Sequence, residues 1–296
     1  MIGDLSLHCP NCAVSALADD EFCESCGAPL GRRRDASREH VEVDAGLVAG
    51  VSDRGLRHQR NEDALFVAAD GGRAVAVVCD GVSISAAPQV ASEVAARAGG
   101  AWLLERVRRN AATGVGQDAM AEALGRSGDA VANVPWLVVA DRNGPSCTVV
   151  AAVWDGTAVT VGWAGDSRAY WLDERGARLL TVDHSWAQEQ VANGALAEAA
   201  AERDPRAHVI TRWLGDDAPD GADTSRWTPA GPGRLVLCTD GLWNVLHGAA
   251  ELAQLVASAG DRSPLGLARR LVSTAIGRGG PDNVTVAVVD VVPGGH

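Results

Sequence analysis

The sequence predicts an α+β fold, a four-layer α-β-β-α sandwich of two mainly antiparallel sheets, preceded by a small cysteine-rich module. Strand-like apolar runs gather at both ends of the region from residue 46 onward, and helical patterns lie between them. Turns that contain glycine separate neighbouring runs, which favours antiparallel pairing. Of the 296 residues, 47% are hydrophobic, so the chain can bury the core of two packed sheets with helices outside.

The first thirty residues carry two Cys-x2-Cys pairs, Cys9 with Cys12 and Cys23 with Cys26. Four thiolates at this spacing are typical of a tetrahedral Zn²⁺ site, in which each pair forms one knuckle. Two disulfides are the alternative, which a reducing compartment disfavours. Because so short a segment cannot bury a core of its own, one structural zinc ion is expected to hold it together as a zinc ribbon, residues 1–31.

Residues 32–45 are charged and lack hydrophobic periodicity until their end, so they are expected to be a linker or the first edge of the next domain, residues 46–293. The net charge of -12 and the pI of about 5.0 argue against a nucleic-acid binder, which needs a basic face. No apolar run is long enough to span a bilayer, and the first ten residues lack a signal-peptide pattern. We therefore expect a cytoplasmic protein without a membrane partner.

The elements of the main domain follow from the spacing of its apolar residues. The predicted elements are strands at 47–52, 64–68 and 74–79, helices at 87–109 and 117–132, strands at 147–154, 157–163 and 169–172, an alanine-rich helical flap at 184–215, a strand at 235–238, helices at 249–258 and 265–276, and a strand at 284–292. Cys79, Cys147 and Cys238 stand singly in apolar runs and are expected to be buried and inert.

Several short segments place acidic residues at predicted strand ends or turns: Glu62 with Asp63, Asp80, Asp166, Asp240 and Asp282. The strands would bring these carboxylates together at a sheet edge, where they repel one another and require cations. Oxygen ligands select Mg²⁺ or Mn²⁺, and two such ions a few Å apart are a common device for hydrolysing phosphate esters. The alternative for Asp166, Asp183 and Asp240 is a role as turn formers, because Asp-Gly and Asp-Ser commonly make turns.

Eight motifs occur in a fixed order: SDRG (52–55) with RNED (60–63), VCDG (78–81), GPSCT (144–148), GDSRAY (165–170), LTVDHS (180–185), ITRWLG (210–215), CTDGLW (238–243) and DNVT (282–285). Together they resemble the metal-dependent type 2C protein serine/threonine phosphatases (PPM family) of bacterial type. The resemblance extends from about residue 46 to residue 292. Each motif is weak alone, but chance would rarely produce all of them in this order.

The resemblance implies that Asp80 bridges two Mn²⁺ or Mg²⁺ ions. Asp240 and Asp282 would complete one coordination shell, and Glu62 with the carbonyl of Gly81 would complete the other. A water held between the ions would lose its proton and attack the phosphorus of a phosphoserine or phosphothreonine in line.

Further roles follow from the same resemblance. Asp63 would orient a water on the ions, and Asn283 would hold its neighbour in place. Asp166 matches the position that supports a third, weaker ion in bacterial relatives. Two to three Mn²⁺ or Mg²⁺ ions are therefore expected, besides the zinc.

The chain departs from the family pattern at two places. His58 stands where relatives have an arginine that grips the substrate phosphate, so phosphate binding is assigned to His58 and its neighbour Arg57. The segment after Gly81 reads Val-Ser-Ile-Ser (82–85) where relatives have Met-Gly-Gly or His-Gly-Gly. No histidine general acid is therefore carried over, and protonation of the leaving group is left to water on the ions.

The leading hypothesis is an active signalling phosphatase whose substrates are phosphoproteins made by a serine/threonine kinase. The alternative is a weakly active phosphatase-like module that senses phosphoproteins, with the zinc ribbon docking a protein partner. A two-ion nuclease is a third interpretation, which conflicts with the acidic composition. Turnover of a small aryl phosphate with added Mn²⁺ separates the first two.

Overall fold

The computed structural model describes residues 7–8, 14–16, 36–109, 114–137, 143–219, 221–246 and 248–293. The chain divides into two compact units, Met1–Glu39 and His40–His296. In the first unit the described elements are the antiparallel pair β1 (Leu7–His8) and β2 (Ser15–Ala16), and the short helix α1 (Ala36–Glu39). The four cysteines of the predicted zinc ribbon lie outside the described residues: Cys9, Cys12, Cys23 and Cys26.

The second unit contains strands and helices in the following order: β3 (His40–Asp44), β4 (Val48–Asp53), β5 (Asp63–Asp70), β6 (Arg73–Asp80), α2 (Pro88–Arg109), α3 (Gln117–Ala132), β7 (Ser146–Cys147), β8 (Val149–Trp154), β9 (Val159–Ala164), β10 (Arg168–Asp173), β11 (Gly176–Leu179), α4 (Trp186–Ala192), α5 (Glu198–Ala201), β12 (Leu214–Gly215), β13 (Asp223–Trp227), β14 (Gly233–Cys238), α6 (Asp240–Trp243), α7 (Ala249–Ala257), α8 (Pro264–Gly277) and β15 (Val284–Val291). Helix α8 begins with a Ser263 cap, whose hydroxyl accepts from the Gly266 N–H, and with proline at its first position. None of the described helices combines the length and the apolar character needed to cross a bilayer.

Two antiparallel sheets contain most of the described strands. The six-stranded sheet has the order β11-β10-β14-β15-β4-β3, and the five-stranded sheet has the order β13-β9-β8-β6-β5. A short separate ladder joins β12 to β7. Neighbouring strands in both sheets run antiparallel, which confirms the mainly antiparallel sheets predicted from the glycine turns.

Successive side chains along a strand point to opposite faces of its sheet, and each set packs into a different layer. On β6, Val75 and Val77 pack with α2 and α3, whereas Ala76 and Val78 pack with the inner face of the six-stranded sheet. The outer face of that sheet, which includes Val236, packs on α6, α7 and α8. This alternation is the period-two geometry of a β-strand. The layers of the described second unit therefore run helix, sheet, sheet, helix.

Several elements differ from the sequence prediction. The edge strands β11 and β13 were not predicted, because their residues are polar or only half-buried and show no apolar alternation. Helix α6 has four residues, too few for a helical period. The strand predicted at 147–154 is interrupted at Thr148, between β7 and β8. In the flap, helix is confined to α4 and α5.

The sheet begins earlier than the predicted start of the main domain at residue 46. Strand β3 pairs with β4 along its length, from His40 opposite Asp53 to Asp44 opposite Ala49. Glu42 of this strand also binds Arg269 of α8. Of the two possibilities for residues 32–45, residues 40–44 are therefore the first edge of the sheet. The boundary of the ribbon at residue 31 stays a prediction.

Candidate metal centre

The predicted carboxylates lie at one common edge of the two sheets. Asp80 ends β6 and lies opposite Asp63, the first residue of β5. Asp240 follows the end of β14, Asp282 precedes β15, and Asp166 lies in the turn between β9 and β10. The charges of the other four all act on Asp80. Antiparallel register thus brings together side chains that are far apart in the sequence.

Burial and mutual repulsion disfavour the charged forms of these acids. Burial raises the pKa of Asp80 well above its usual range, and the carboxylates of Asp63 and Asp240 raise it further. Burial also raises the pKa of Asp240, to which the charges of Asp166 and Asp282 add. A cation among these groups would reverse both effects by favouring the ionised forms. The electrostatics of this edge therefore favour binding of divalent cations.

Asp63 contributes a buried carboxylate with an oxygen that lacks a partner. Its Oδ2 accepts a hydrogen bond from the Thr239 hydroxyl at 2.9 Å, whereas Oδ1 is buried and has no hydrogen-bond partner among the described residues. Burial raises the pKa of Asp63 to about 7. Thr239 is itself fixed, because its hydroxyl oxygen accepts from the Thr285 N–H at 3.0 Å. A buried oxygen without a partner is costly, so Oδ1 fits a role as acceptor for water or an ion.

Two side chains hold the segment that carries Glu62. Asn283 Oδ1 accepts from the Glu62 N–H at 2.7 Å, and Asn283 Nδ2 donates to the carbonyls of Arg54 and Arg60 at 2.8 and 3.0 Å. The Ser83 hydroxyl donates to Glu62 Oε2 at 2.6 Å. Asn283 therefore positions the loop before β5, and Ser83 orients the Glu62 carboxylate.

Gly81 brings two backbone segments into close approach. Its N–H donates to the Glu62 carbonyl at 3.1 Å. A β-carbon at this position would lie 2.5 Å from the Pro88 carbonyl oxygen. Only glycine permits this approach. The packing therefore requires glycine at position 81, independently of the ligand role predicted for its carbonyl.

The two residues predicted to bind the substrate phosphate lie differently. His58 Nε2 is 3.1 Å from Asp282 Oδ1, and the same oxygen accepts from the Asn283 N–H at 2.8 Å. The Arg57 side chain is exposed. The structure thus brings His58 to the carboxylate edge and leaves Arg57 on the surface. Phosphate binding by either residue stays a prediction.

The turn that carries Asp166 is fixed by its neighbours. Gly165 has a φ of +107°, and a β-carbon there would lie 2.6 Å from the Thr148 side chain. Burial raises the pKa of Asp166 to about 6, and the charge of Asp183 adds to this effect. The Asp166 carbonyl accepts from Trp243 Nε1 at 3.0 Å. The carboxylate is therefore presented from a rigid turn.

Asp183, whose role the sequence left open, binds Arg168. The Arg168 Nε and Nη2 atoms donate to the Asp183 carboxylate at 2.6 to 3.1 Å. The guanidinium group also lies over the Trp243 ring, 3.7 Å from its centre. Asp183 is therefore held by an arginine beside the carboxylate edge.

The donor set at this edge fits hard divalent ions. Its side-chain donors are carboxylates, the ligands that Mg²⁺ and Mn²⁺ prefer. Within the part of the chain that the structure describes, no three His, Cys, Asp or Glu side chains already have the arrangement of an ion site. Glu62 is bound to Ser83 and Asp282 to His58. Ion binding would therefore require such side chains to turn from their present partners.

Sequence reasoning missed several residues that hold predicted site residues in place: Ser83, Thr239 and Trp243. Each occurs in or beside a motif, yet its residue type alone does not distinguish it from an ordinary loop or strand residue. The signal that could have found Thr239 and Ser83 is proximity, because each lies within three residues of a predicted carboxylate ligand.

Comparisons with known proteins agree with this geometry. The family model for protein phosphatase 2C matches residues 54–263. The serine/threonine protein phosphatase PstP of Mycobacterium tuberculosis is 31% identical over 246 residues, which is 82% of this chain and 45% of that protein. This chain therefore spans less than half the length of that relative. The serine/threonine phosphatase stp of Listeria monocytogenes is 30% identical over 245 residues, 81% of this chain and 93% of that protein.

Solved structures show the same fold. A serine/threonine phosphatase of S. agalactiae matches with a TM-score of 0.68 and 26% identity, over 82% of this chain and 98% of that one. The catalytic domain of PstP in complex with two manganese ions matches with a TM-score of 0.64 and 25% identity, over 83% of this chain and 97% of that one. With a family model that covers more than half of its residues, this chain belongs to the protein phosphatase 2C family.

Proposed function

We propose that this protein hydrolyses phosphoserine and phosphothreonine esters in proteins, with two divalent cations held at the common edge of its sheets. The observation that carries the proposal is the convergence of Asp63, Asp80, Asp166, Asp240 and Asp282 at that edge. The named relatives are serine/threonine protein phosphatases, which supports the reaction and the substrate class. The PstP structure with two manganese ions supports Mn²⁺ as an ion that this fold can bind.

The residues that would hold the ions follow from the carboxylate edge. Asp80 would contact both ions, Asp240 and Asp282 would complete one site, and Glu62 with the Gly81 carbonyl would complete the other. Asp166 would hold a third ion. When bound, the ions supply the Lewis acidity that lowers the pKa of the attacking water and offsets charge on the phosphoryl oxygens.

The protein's own groups would orient water and substrate. Asp63 Oδ1, which is buried and has no hydrogen-bond partner among the described residues, would accept a hydrogen bond from water in the site. The exposed cation Arg57 and the imidazole of His58 would bind the substrate phosphate. Within residues 82–85 there is no histidine, so the leaving oxygen would take its proton from water rather than from this segment.

Finer parts of the proposal concern the first unit and the cellular role. We propose that the four cysteines of residues 1–31 bind one structural Zn²⁺ and that this ribbon docks a protein partner. The Cys-x2-Cys spacing supports the zinc site. From the activity of the relatives, we also propose that the protein removes phosphate groups added by a serine/threonine kinase in cytoplasmic signalling.

The deciding experiment measures hydrolysis of an aryl phosphate and of a phosphothreonine peptide by the full chain with added Mn²⁺. We expect turnover of both substrates and complete loss of activity with a chelator. If the protein bound the phosphopeptide without turning over either substrate, the sensing module would be the better interpretation.

A further inference from the structure

His184, the first residue of the flap, is almost enclosed, with 8% of its surface exposed. Its ring stacks on Trp163, with centroids 6.3 Å apart and an interplanar angle of 16°. Nδ1 accepts a hydrogen bond from the Gly165 N–H at 3.1 Å, and Nε2 lies 3.5 Å from Asp223 Oδ2. Because Nδ1 is an acceptor, the ring is neutral and carries its hydrogen on Nε2.

The backbone of His184 makes a second contact with the same turn. Its N–H donates to the Gly165 carbonyl at 3.0 Å, so both polar backbone groups of Gly165 bind to His184. Gly165 has a φ of +107° and immediately precedes Asp166. The direction of the chain at Gly165 therefore sets the position from which the Asp166 carboxylate extends.

His184 also closes the base of the flap. Its carbonyl accepts from the Thr211 N–H at 2.9 Å, and two residues later the Trp186 N–H donates to the Val209 carbonyl at 2.8 Å. These bonds join the two ends of the segment that carries α4 and α5. One residue thus connects the base of the flap to the turn that presents Asp166.

We propose that His184 is a positioning residue for the ion site at Asp166. Its Nδ1 holds the Gly165–Asp166 turn in the direction that presents the carboxylate to an ion, and its backbone links that turn to the flap. The inference rests on the proposed metal centre. Because such coupling is reciprocal, an ion at Asp166 stabilises the base of the flap, and an ordered flap increases the affinity for the ion.

A histidine that only filled space would not need an acceptor at Nδ1. The stacking on Trp163 supplies the packing, whereas the Nδ1 contact satisfies a backbone N–H next to a predicted ligand. If the acceptor were lost, the Gly165 N–H would lack its partner in a buried turn, and the turn would shift to find another. The Nδ1 contact is therefore the part of His184 that the experiment must isolate.

Two substitutions separate this acceptor from the rest of the ring. His184→Asn places an amide oxygen where Nδ1 lies, whereas His184→Gln places its amide where Nε2 lies. Both remove the aromatic stacking on Trp163, so the loss of packing is shared. Asp223→Asn leaves the Nδ1 contact in place and alters the environment of Nε2, together with the pair that Asp223 makes with Arg212, so it is a further control.

Binding of Mn²⁺ to the full-length protein is measured by calorimetry, and protection of the flap amides is measured by hydrogen exchange. Comparison of the wild type with Asp166→Asn identifies the weakest Mn²⁺ site as the one that this variant lacks. We expect His184→Gln to weaken that site by about tenfold or more, and His184→Asn and Asp223→Asn to stay within about threefold of the wild type. Mn²⁺ should slow exchange near Thr211 in the wild type and in His184→Asn but not in His184→Gln.

The double variant Asp166→Asn with His184→Gln should bind Mn²⁺ no more weakly than Asp166→Asn alone, because both changes remove the same site. The proposal fails if His184→Gln binds Mn²⁺ like the wild type, if His184→Asn is as weak as His184→Gln, or if the two losses add. Hydrolysis of an aryl phosphate is followed separately. Its absence from the wild type would contradict the proposed function and leave the binding comparison intact.

Discussion

The two sides of the carboxylate edge are held by different means. On the ladder side, Asp63 and Asp80 are fixed by strand register, since they lie opposite each other where β5 begins and β6 ends. On the loop side, Glu62, Asp166 and Asp282 lie outside the strands and depend on neighbouring polar groups for their orientation. The ladder side is therefore built by the fold, and the loop side is adjusted by single side chains.

Because of this difference, mutations on the ladder side and mutations on the loop side are expected to change different properties of the protein. Removing a ladder-side carboxylate takes away an oxygen ligand for the proposed ions. No other residue can take its place, because strand register fixes the positions of its neighbours. Changing a loop-side partner such as Ser83 or His58 leaves the donors in place and alters their orientation, which typically changes ion affinity or substrate binding by smaller factors.

The largest effect is expected at Asp80, on which the charges of four other carboxylates of the edge act: Asp63, Asp166, Asp240 and Asp282. Asp80→Asn should lower kcat for an aryl phosphate by about 100-fold or more, a barrier increase of about 2.7 kcal/mol, because the proposed bridging donor loses its charge. Asp240→Asn should behave similarly. The measurement is steady-state hydrolysis at saturating Mn²⁺.

A matched control is Asp70→Asn at the other end of β5, where the carboxylate binds Arg108 on the surface. This exposed pair should contribute little, so activity should stay within about twofold of the wild type. If Asp80→Asn kept more than about a tenth of the wild-type rate, the bridging assignment would be wrong.

The ladder side was the more predictable part of the centre. Nearly continuous apolar runs such as β6 and β15 indicate, to within about one residue, where each strand ends, and the acids at these ends converge because the sheets are antiparallel. The motif order then identified the same acids through the family resemblance. The grouping of Asp80 with Asp240 and Asp282 is confirmed by the structure, whereas their roles as ligands stay predictions.

The loop side could not be predicted in the same way. The hydrogen bond from Ser83 to Glu62 and the contact of His58 with Asp282 depend on the path of loops, which carries no periodic signal. His184 stands in a motif, but its contact with Gly165 depends on where the flap folds back. Physical patterning therefore gives the positions of strand ends, and only the structure gives the partners of loop residues.

The second effect concerns the stability of the metal-free protein on the ladder side. Burial raises the pKa of Asp63 to about 7, so the folded state holds a proton that the unfolded state releases near pH 4. Stability from this group is therefore present at low pH and is lost as pH rises from about 4 to 7, by at most about 1.4 kcal/mol per pH unit.

Denaturant unfolding with a chelator at pH 5, 6 and 7 measures this slope. We expect a flatter dependence in Asp63→Asn, which cannot titrate, and a gain in stability on adding Mn²⁺ at pH 7. Equal slopes in the wild type and Asp63→Asn would show that Asp63 is ionised in the folded metal-free protein.

A smaller effect is expected at His58 on the loop side. His58→Arg restores the residue type that relatives use to grip phosphate, and it should lower KM for an aryl phosphate several-fold with little change in kcat, as expected for a contact made equally in the ground and transition states. Gln59→Arg adds the same charge at an exposed neighbouring position and should leave KM nearly unchanged. A lower KM in both variants would point to general attraction of the anion rather than to a contact at residue 58.

The smallest effect is expected on removing residues 1–35, most of the first unit. A protein that begins at Ala36 retains β3, its ladder with β4 and the pair of Glu42 with Arg269, so its hydrolysis of an aryl phosphate should stay within about twofold of the full chain. Beginning at Asp44 would instead remove most of β3 and expose the edge of β4, which should lower the melting temperature. Metal analysis should find about one zinc per full chain and none after truncation, since four thiolates form one closed site. If removing residues 1–35 abolished turnover while the chain stayed folded, the first unit would take part in the site, and the separation of ribbon from catalysis would be wrong.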